Sequence, residues 1–269
     1  MQVELDYPVH PRARYGWGAP FHKALTAIIE PGEDRYRAVL EGFLVHRVEL
    51  GVIEASPASA TEPAWVNDYI PGLDGAALYA FVTDLRPSTY LEIGSGNSTK
   101  FVRRAIRDHS LMTRVVSVDP FPRAECDELC DEVIRKPVED VDLALFDRLH
   151  AGDVLFVDNS HRAFQNSDAT VMLTEVIPSL PAGVLVGIHD IFLPEDYPPQ
   201  WADRFYSEQY LLAAWLLGGG GGCEVVLPAH YIRSIPELDT LCDPIWSAPE
   251  LAGVQRHGGA FWLRTGQCS

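Results

Sequence analysis

Two short stretches of the chain, "VDNSH" at 157–161 and "GIHD" at 187–190, each carry a histidine and an aspartate where an apolar run ends. If those runs are neighbouring parallel strands, Asp158, His161, His189 and Asp190 all fall on the carboxyl edge of one sheet, where open α/β sheets bind ligands. Two kinds of chemistry suit such a set. A histidine titrates near neutral pH and can take the proton from a hydroxyl or amine while a group is transferred to that atom, which makes His161 and His189, assisted by Asp158, candidate catalytic residues. Alternatively Asp158, His189 and Asp190 hold a divalent ion that polarises a substrate oxygen. Oxygen ligands favour magnesium or manganese, and added imidazoles also admit iron or zinc. Each residue has a plainer reading as well: Asp158 as a turn cap, His161 as a surface residue, His189 as a core histidine bonded to Asp158.

A second cluster lies upstream, in "YLEIGSGNSTKF" at 90–101, an apolar strand running through a glycine turn into a helix start. The dinucleotide fingerprint G-x-G-x-x-G places pyrophosphate at the helix N-terminus, but its third glycine is here Thr99. Glu92 stands two residues before Gly94, and a carboxylate there would repel pyrophosphate yet pair with the ammonium of a methionine moiety. S-adenosylmethionine has no phosphate and carries a sulfonium. About 25 residues beyond Gly94, Asp119 ends the next strand in "VVSVDPFPR", where an acid can accept both ribose hydroxyls. Arg123 in the same stretch could meet a substrate carboxylate.

The elements that must position these groups are legible as alternation. From about residue 89, β-branched runs ("TYLEI", "RVVSVD", "EVIRK", "DVLFVD", "GVLVGIHD", "CEVVLP", "AFWLR") alternate with helical patterns ("NSTKFVRRAIRDH", "VDLALFDRL", "ATVMLTEVIPSL", "DRFYSEQYLLAAWLL"). That is the pattern of a parallel sheet covered by helices, with the first five strands apolar on both faces. Asn97 or Ser98 is expected to cap the first of these helices. "LDGAALYAFVTDLRP" supplies a helix before the first strand. Residues 1–70 read differently, with prolines and aromatics ("YPVHPRARYGWGAPF") before a helical pattern around "DRYRAVLEGFLVHRVEL", and are expected to form an N-terminal extension that covers the cleft or builds a homodimer contact. Residues 71–269 then form the catalytic domain. The glycine run at 218–222 reads as a connector after a helix. The loop "IFLPEDYPPQW" and the following Phe205, Tyr206 and Tyr210 are expected to wall an acceptor pocket.

Size and composition narrow the function classes. A chain of 269 residues with 47% apolar content can bury a full core. The formal charge of −17 disfavours nucleic-acid partners, which need clustered lysine and arginine. No apolar run approaches the length that spans a bilayer, and the start "MQVELDYPVH" lacks a signal pattern, so a soluble, cytoplasmic protein is expected. Five scattered cysteines read as free thiols rather than a disulfide framework. "CDELC" lacks the further cysteines an iron–sulfur cluster needs.

Taken together, "LEIGSGNSTKF", "VVSVDPFPR", "GDVLFVDNSH", "GVLVGIHDIFLPEDYP" and "RFYSEQYLLAAWL" resemble the class I S-adenosylmethionine-dependent methyltransferases, specifically the bacterial group called methyltransferase family 24, over about residues 65–265. The resemblance implies a Rossmann-like α/β fold: seven strands, mostly parallel, helices on both faces, the last strand antiparallel and supplied by "GGAFWLRT". It implies S-adenosylmethionine as cofactor, with Glu92, Gly94, Ser95, Gly96 and Ser98 around the methionine part, Asp119 on the ribose, Pro120 and Phe121 beside the adenine, and Asp158 as a further cofactor-binding residue. Related metal-dependent sugar and antibiotic O-methyltransferases place acids after the same two strands. This chain has His189 where they have an aspartate. The activity so implied is methyl transfer to a small-molecule acceptor, first to a hydroxyl oxygen. Metal-dependent oxidation on the same frame and a non-catalytic binding module are the alternatives, and the sequence does not identify the acceptor.

Overall fold

The computed structural model describes residues 8–122 and 126–266. Seven strands, β1 (Thr89–Ile93), β2 (Arg114–Val118), β3 (Glu132–Ile134), β4 (Val154–Val157), β5 (Leu185–Ile188), β6 (Glu224–Pro228) and β7 (Phe261–Arg264), form one sheet in the order β3-β2-β1-β4-β5-β7-β6. The first five run parallel, and β7 inserts antiparallel between β5 and β6. All seven expected strands are present. From β1 the chain winds outward through β2 and β3, then returns to start the other half at β4. The carboxyl ends of β1 and β4 therefore diverge, and a crevice opens between them.

β1, β4 and β5 are buried along nearly their whole length, as strands covered on both faces must be. β3 departs from that expectation. It is the edge strand, half-buried throughout, and its Glu132 pairs with Arg114 and Arg148 in solvent.

The N-terminal region contributes α1 (Lys23–Ile29), α2 (Glu33–Phe43) and α3 (Arg47–Gly51), and α4 (Gly72–Leu85) leads into β1. α5 (Asn97–Asp108) links β1 to β2. α6 (Asp168–Val171) passes through a π-helical turn, Met172–Val176, into α7 (Ile177–Ser179), and α8 (Glu208–Leu217) precedes β6. Around the sheet, α2, α4 and α5 pack as one group, while α8 meets α1 and α6 in another. α4 is buried from Gly72 to Val82, so its sequence is apolar on every side. Its Phe81 meets Trp262 of β7 at a centroid distance of 4.9 Å, and Trp262 stacks on Phe156 of β4 at 5.5 Å. Gly187 of β5 makes room for that indole: a β-carbon there would lie 2.6 Å from the ring. Leu25, Ile29, Tyr36, Leu40 and Phe43 of the N-terminal helices belong to the same hydrophobic core as the strands.

Three local expectations are corrected. "VDLALFDRL" forms a 3-10 helix, Leu143–Arg148, because only one short face, Leu145 and Phe146, is buried and Asp142 caps it at Ala144. α8 begins at Glu208, not within "DRFY", because Phe205 adopts φ +54°, which interrupts a right-handed helix. The cap of α5 is Gly96, whose N–H donates to the Thr99 hydroxyl, so Asn97 and Ser98 stand in the first turn. The glycine run takes left-handed conformations from Gly219 to Gly222, as a connector after α8 should. Cys126, Cys130 and Cys242 are free thiols; Cys268 lies outside the described residues.

Candidate active site

The glycine turn closes against the end of β4. Gly94 takes φ +82°, and a side chain on it would overlap the carbonyl of Asp158. No atom stands within 4 Å of where a β-carbon on Gly96 would lie, so that face is open to the crevice. A cavity of about 390 Å³ fills the space, lined by Gly94, Ser95, Gly96 and Ser98 on one side, by Asp119, Pro120 and Phe121 on another, and by Asp158. Asp119 accepts the N–H of Ser95 at 2.9 Å through Oδ2 and that of Phe121 at 2.8 Å through Oδ1, so its carboxylate is held in place by two amides. Arg123 lies outside the described residues.

Glu92 is not part of that lining. It is wholly buried beneath the turn and accepts hydrogen bonds from the hydroxyls of Tyr90 at 3.2 Å, Ser98 at 3.1 Å and Thr99. Burial pushes its carboxyl up to about 8, against the pull of those hydroxyls. The expected pairing of Glu92 with a cofactor ammonium is therefore replaced by a different job. The carboxyl ties β1 to the first turn of α5 and fixes the shape of the glycine turn from below. Ser98, whose hydroxyl serves Glu92, still borders the cavity.

At the neighbouring strand ends Asp158, His161, His189 and Asp190 converge. The Nε2 of His161 lies 3.3 Å from Asp158 and 3.5 Å from Asp190, and the Nδ1 of His189 lies 3.4 Å and 3.6 Å from the same two carboxylates. Each imidazole has a second acid behind it. Glu208, at the start of α8, sits 3.0 Å from His161 Nδ1, and Asp74, in the first turn of α4, sits 3.3 Å from His189 Nε2. That His189 contact is an ion-pair approach rather than an aligned hydrogen bond, for Nε2 finds no hydrogen-bond partner. Both outer acids are fully buried and anchored: Glu208 accepts from Asn159 at 2.8 Å, and Asp74 accepts the N–H groups of Gly259 at 2.7 Å and Ala260 at 3.1 Å. His161 and Asp190 have left-handed φ of +60° and +54°, a conformation that costs non-glycine residues energy and is held here by the surrounding contacts. The carbonyl of His161 accepts the N–H groups of Ser207 and Glu208, so α8 grips the histidine by backbone and side chain together.

The electrostatics follow from this stacking of charge. Burial lowers the affinity of His161 for a proton, but Asp158 and Glu208 outweigh it and raise the imidazole to about 10. His189 is likewise carried well above its ordinary value by Asp158 and Asp190 against burial. Burial would raise Asp158, yet the two imidazoles hold it well below the usual carboxylate range. Glu208 is raised by burial, with His161 pulling the other way.

A family model described as a methyltransferase domain matches residues 91–191, the span from the glycine turn to the end of "GIHD". That stretch is similar to a methyltransferase domain. No curated protein matches the chain. Among solved structures, the SAH-bound methyltransferase of Podospora anserina is 17% identical with a TM-score of 0.45, covering 94% of this chain and 100% of its own. The plantazolicin methyltransferase in complex with a pentazolic desmethylPZN analog and SAH is 13% identical with a TM-score of 0.43, over 71% and 84%. A Bacillus cereus O-methyltransferase in complex with SAH is 14% identical with a TM-score of 0.38, over 91% and 96%.

A second cavity, about 620 Å³, opens over the histidine cluster. Asp158 and Tyr69 border both cavities, so the two spaces meet at the end of β4. The loop after β5 contributes Phe192 and Trp201 and is followed by Tyr206, as expected of pocket walls; Phe205 and Tyr210 are absent from that lining. The N-terminal region adds Trp17. Residues 14–22 cross the loop as a strap: Asp196 accepts the N–H groups of Arg14 and Tyr15, and its carbonyl accepts the indole N–H of Trp17 at 2.9 Å. The Asp196 N–H donates to Tyr15, and His22 donates to Pro194.

Asp158, His189 and Asp190, the residues expected to hold a divalent ion, do meet in the domain, but as partners of one another. A ligating imidazole must be neutral with its lone pair on the ion. Here each inner nitrogen faces two carboxylates that keep it protonated. Among the described residues no group of three or more histidine, cysteine, aspartate or glutamate side chains is disposed to hold a metal. The donors do not fit a resident ion, and no step is routed through one. Nor is any helix among the described residues long and apolar enough to cross a membrane.

Proposed function

We propose that the domain moves the sulfonium methyl of S-adenosylmethionine to a hydroxyl oxygen of a small molecule bound in the 620 Å³ cavity. The carrying observation is that Asp158 borders both this cavity and the one at the glycine turn, so a cofactor and an acceptor placed in them would meet beside His161. The cofactor's methionine part lies along Gly94, Ser95, Gly96 and Ser98, its ribose diol on Asp119, and its adenine between Pro120 and Phe121. Glu92 supports the turn without touching the cofactor.

The acceptor oxygen attacks the methyl carbon as the carbon–sulfur bond breaks, and the sulfur keeps that electron pair. The hydroxyl proton passes to the neutral form of His161, which Glu208 orients through Nδ1 and Asp158 stabilises once it is charged. Alignment supplies most of the acceleration, because the sulfonium loses its charge in the transfer and needs little new stabilisation. His189, with Asp74 behind it, steadies Asp158 and Asp190. Residues 8–70 act as a cover for the acceptor through Trp17.

Because His161 titrates near 10, its base form grows with pH across the neutral range. Incubation with S-adenosylmethionine and a panel of hydroxylated small molecules, with release of S-adenosylhomocysteine measured by mass spectrometry, tests the proposal. A turned-over acceptor should show kcat/KM rising with pH toward 10, and His161→Ala should remove that rise. No release with any hydroxylated acceptor, or a pH profile unchanged by His161→Ala, counts against it.

A further inference from the structure

The acceptor cavity is polar along its length. One end is marked by Asp158, shared with the cavity at the glycine turn. The other is marked by Trp17 and Arg233, shared with an outer cavity of about 370 Å³. Between the two ends stand Phe192, Trp201 and Tyr206, set edge to face: the Phe192 and Trp201 rings meet at 84°, and those of Trp201 and Tyr206 at 77°. These rings touch edge to face and give the cavity an aromatic wall, a surface that suits an aromatic acceptor. The carboxylates of Asp158 and Asp190 at the near end are matched by two imidazoles. At the far end Arg233 is exposed, and its guanidinium makes no ion pair or hydrogen bond among the described residues. Arg204 joins the same lining, its guanidinium stacked 3.9 Å over Trp201 and free of any acid among the described residues. In a chain of net charge −17, two arginines without an acid partner among the described residues border one cavity, whose acids are Asp68, Asp158 and Asp190.

We propose that the acceptor is a planar hydroxyaromatic acid, its hydroxyl at Asp158 and His161 and its anionic group read by Arg233. This rests on the methyl-transfer reading and adds the substrate class to it. The ring lies in the cavity against the wall that Phe192, Trp201 and Tyr206 form. Arg204 is held over Trp201, where it extends the aromatic wall and adds positive potential, while the Arg233 guanidinium presents donors in the fork that matches a carboxylate. Arg233 sets which acceptor binds and takes no part in the transfer.

The test is calorimetric binding of 4-hydroxycinnamate and of its methyl ester, with and without S-adenosylhomocysteine present. The two probes share ring and hydroxyl and differ in the charge. The acid should bind about ten-fold or more tightly than the ester, and Arg233→Gln should bring the ratio near one while leaving S-adenosylhomocysteine affinity unchanged. Equal or tighter binding of the ester, no binding of the acid, or a ratio untouched by Arg233→Gln overturns the proposal. Failure of S-adenosylhomocysteine to bind would strike the methyl-transfer reading instead, so the two failures are told apart.

Discussion

Gly94 and Gly96 stand two residues apart in one turn and answer to different neighbours. A side chain at 94 meets both a left-handed φ and the backbone of Asp158, so Gly94→Ala should cost about 2–5 kcal/mol and lower the thermal midpoint clearly. Gly96 borders open space, so Gly96→Ala should leave the midpoint within a few degrees yet weaken S-adenosylhomocysteine binding about ten-fold or more, as calorimetry would read. A second pair of substitutions probes the acids behind the histidines. Glu208→Gln and Asp74→Asn keep shape and remove charge; each should reduce kcat by about 10- to 100-fold with a smaller change in KM. Unchanged kcat would show that these acids serve packing alone. The histidines and their strand-end aspartates were legible in the sequence because a strand followed at once by a polar residue fixes where that residue emerges. Asp74 and Glu208 were not. Each is a single acid in the first turn of an apolar helix, where it reads as a favourable partner for the helix dipole. Glu92 was legible as an important acid with the wrong direction, since the three hydroxyls that draw it under the turn come together only in the fold.

Elements far apart in sequence assemble the acceptor side. Asp196 is the pin of the strap: its carboxylate, carbonyl and amide all engage residues 14–17. Asp196→Ala should therefore loosen the N-terminal segment, seen as faster limited proteolysis before Lys23 and a raised KM for the acceptor, with little change in cofactor affinity. Proteolysis at the original rate would mean that Trp17 and the aromatic contacts hold the strap unaided. Strand number and the antiparallel β7 could be anticipated from alternation and family likeness, because buried parallel strands must be apolar on both faces. The start of α8 could not. It is set by the left-handed turn at Phe205 and by the His161 carbonyl that receives the helix's first amides, and neither leaves a periodic trace. The strap was foreseen only as a cover of undefined place, since a contact spanning more than 180 residues has no local signal.

At the scale of the whole molecule, buried titrating groups make stability depend on pH in a definite direction. Glu92 rises from 4.5 to about 8 and His161 from 6.5 to about 10, so the fold holds these protons more tightly than the unfolded chain does. Their contributions are complete below the ordinary values and fade as pH climbs through those two windows. Asp158 is displaced downward, so its contribution fades as the medium becomes more acid than its ordinary 3.8. Thermal midpoints should accordingly be highest in mild acid and fall between about pH 6.5 and 10, and Glu92→Gln should flatten the part of the decline below about pH 8. A midpoint that climbs with pH over that range would contradict this arrangement of charge. The claim on which the site's reading depends is that the cavity at the glycine turn accepts a phosphate-free adenosyl sulfonium. Titration calorimetry of the full chain with S-adenosylmethionine, S-adenosylhomocysteine and NAD tests it most directly: saturable one-to-one binding of the first two and none of NAD is the predicted result, and binding of NAD with neither of the others would contradict it.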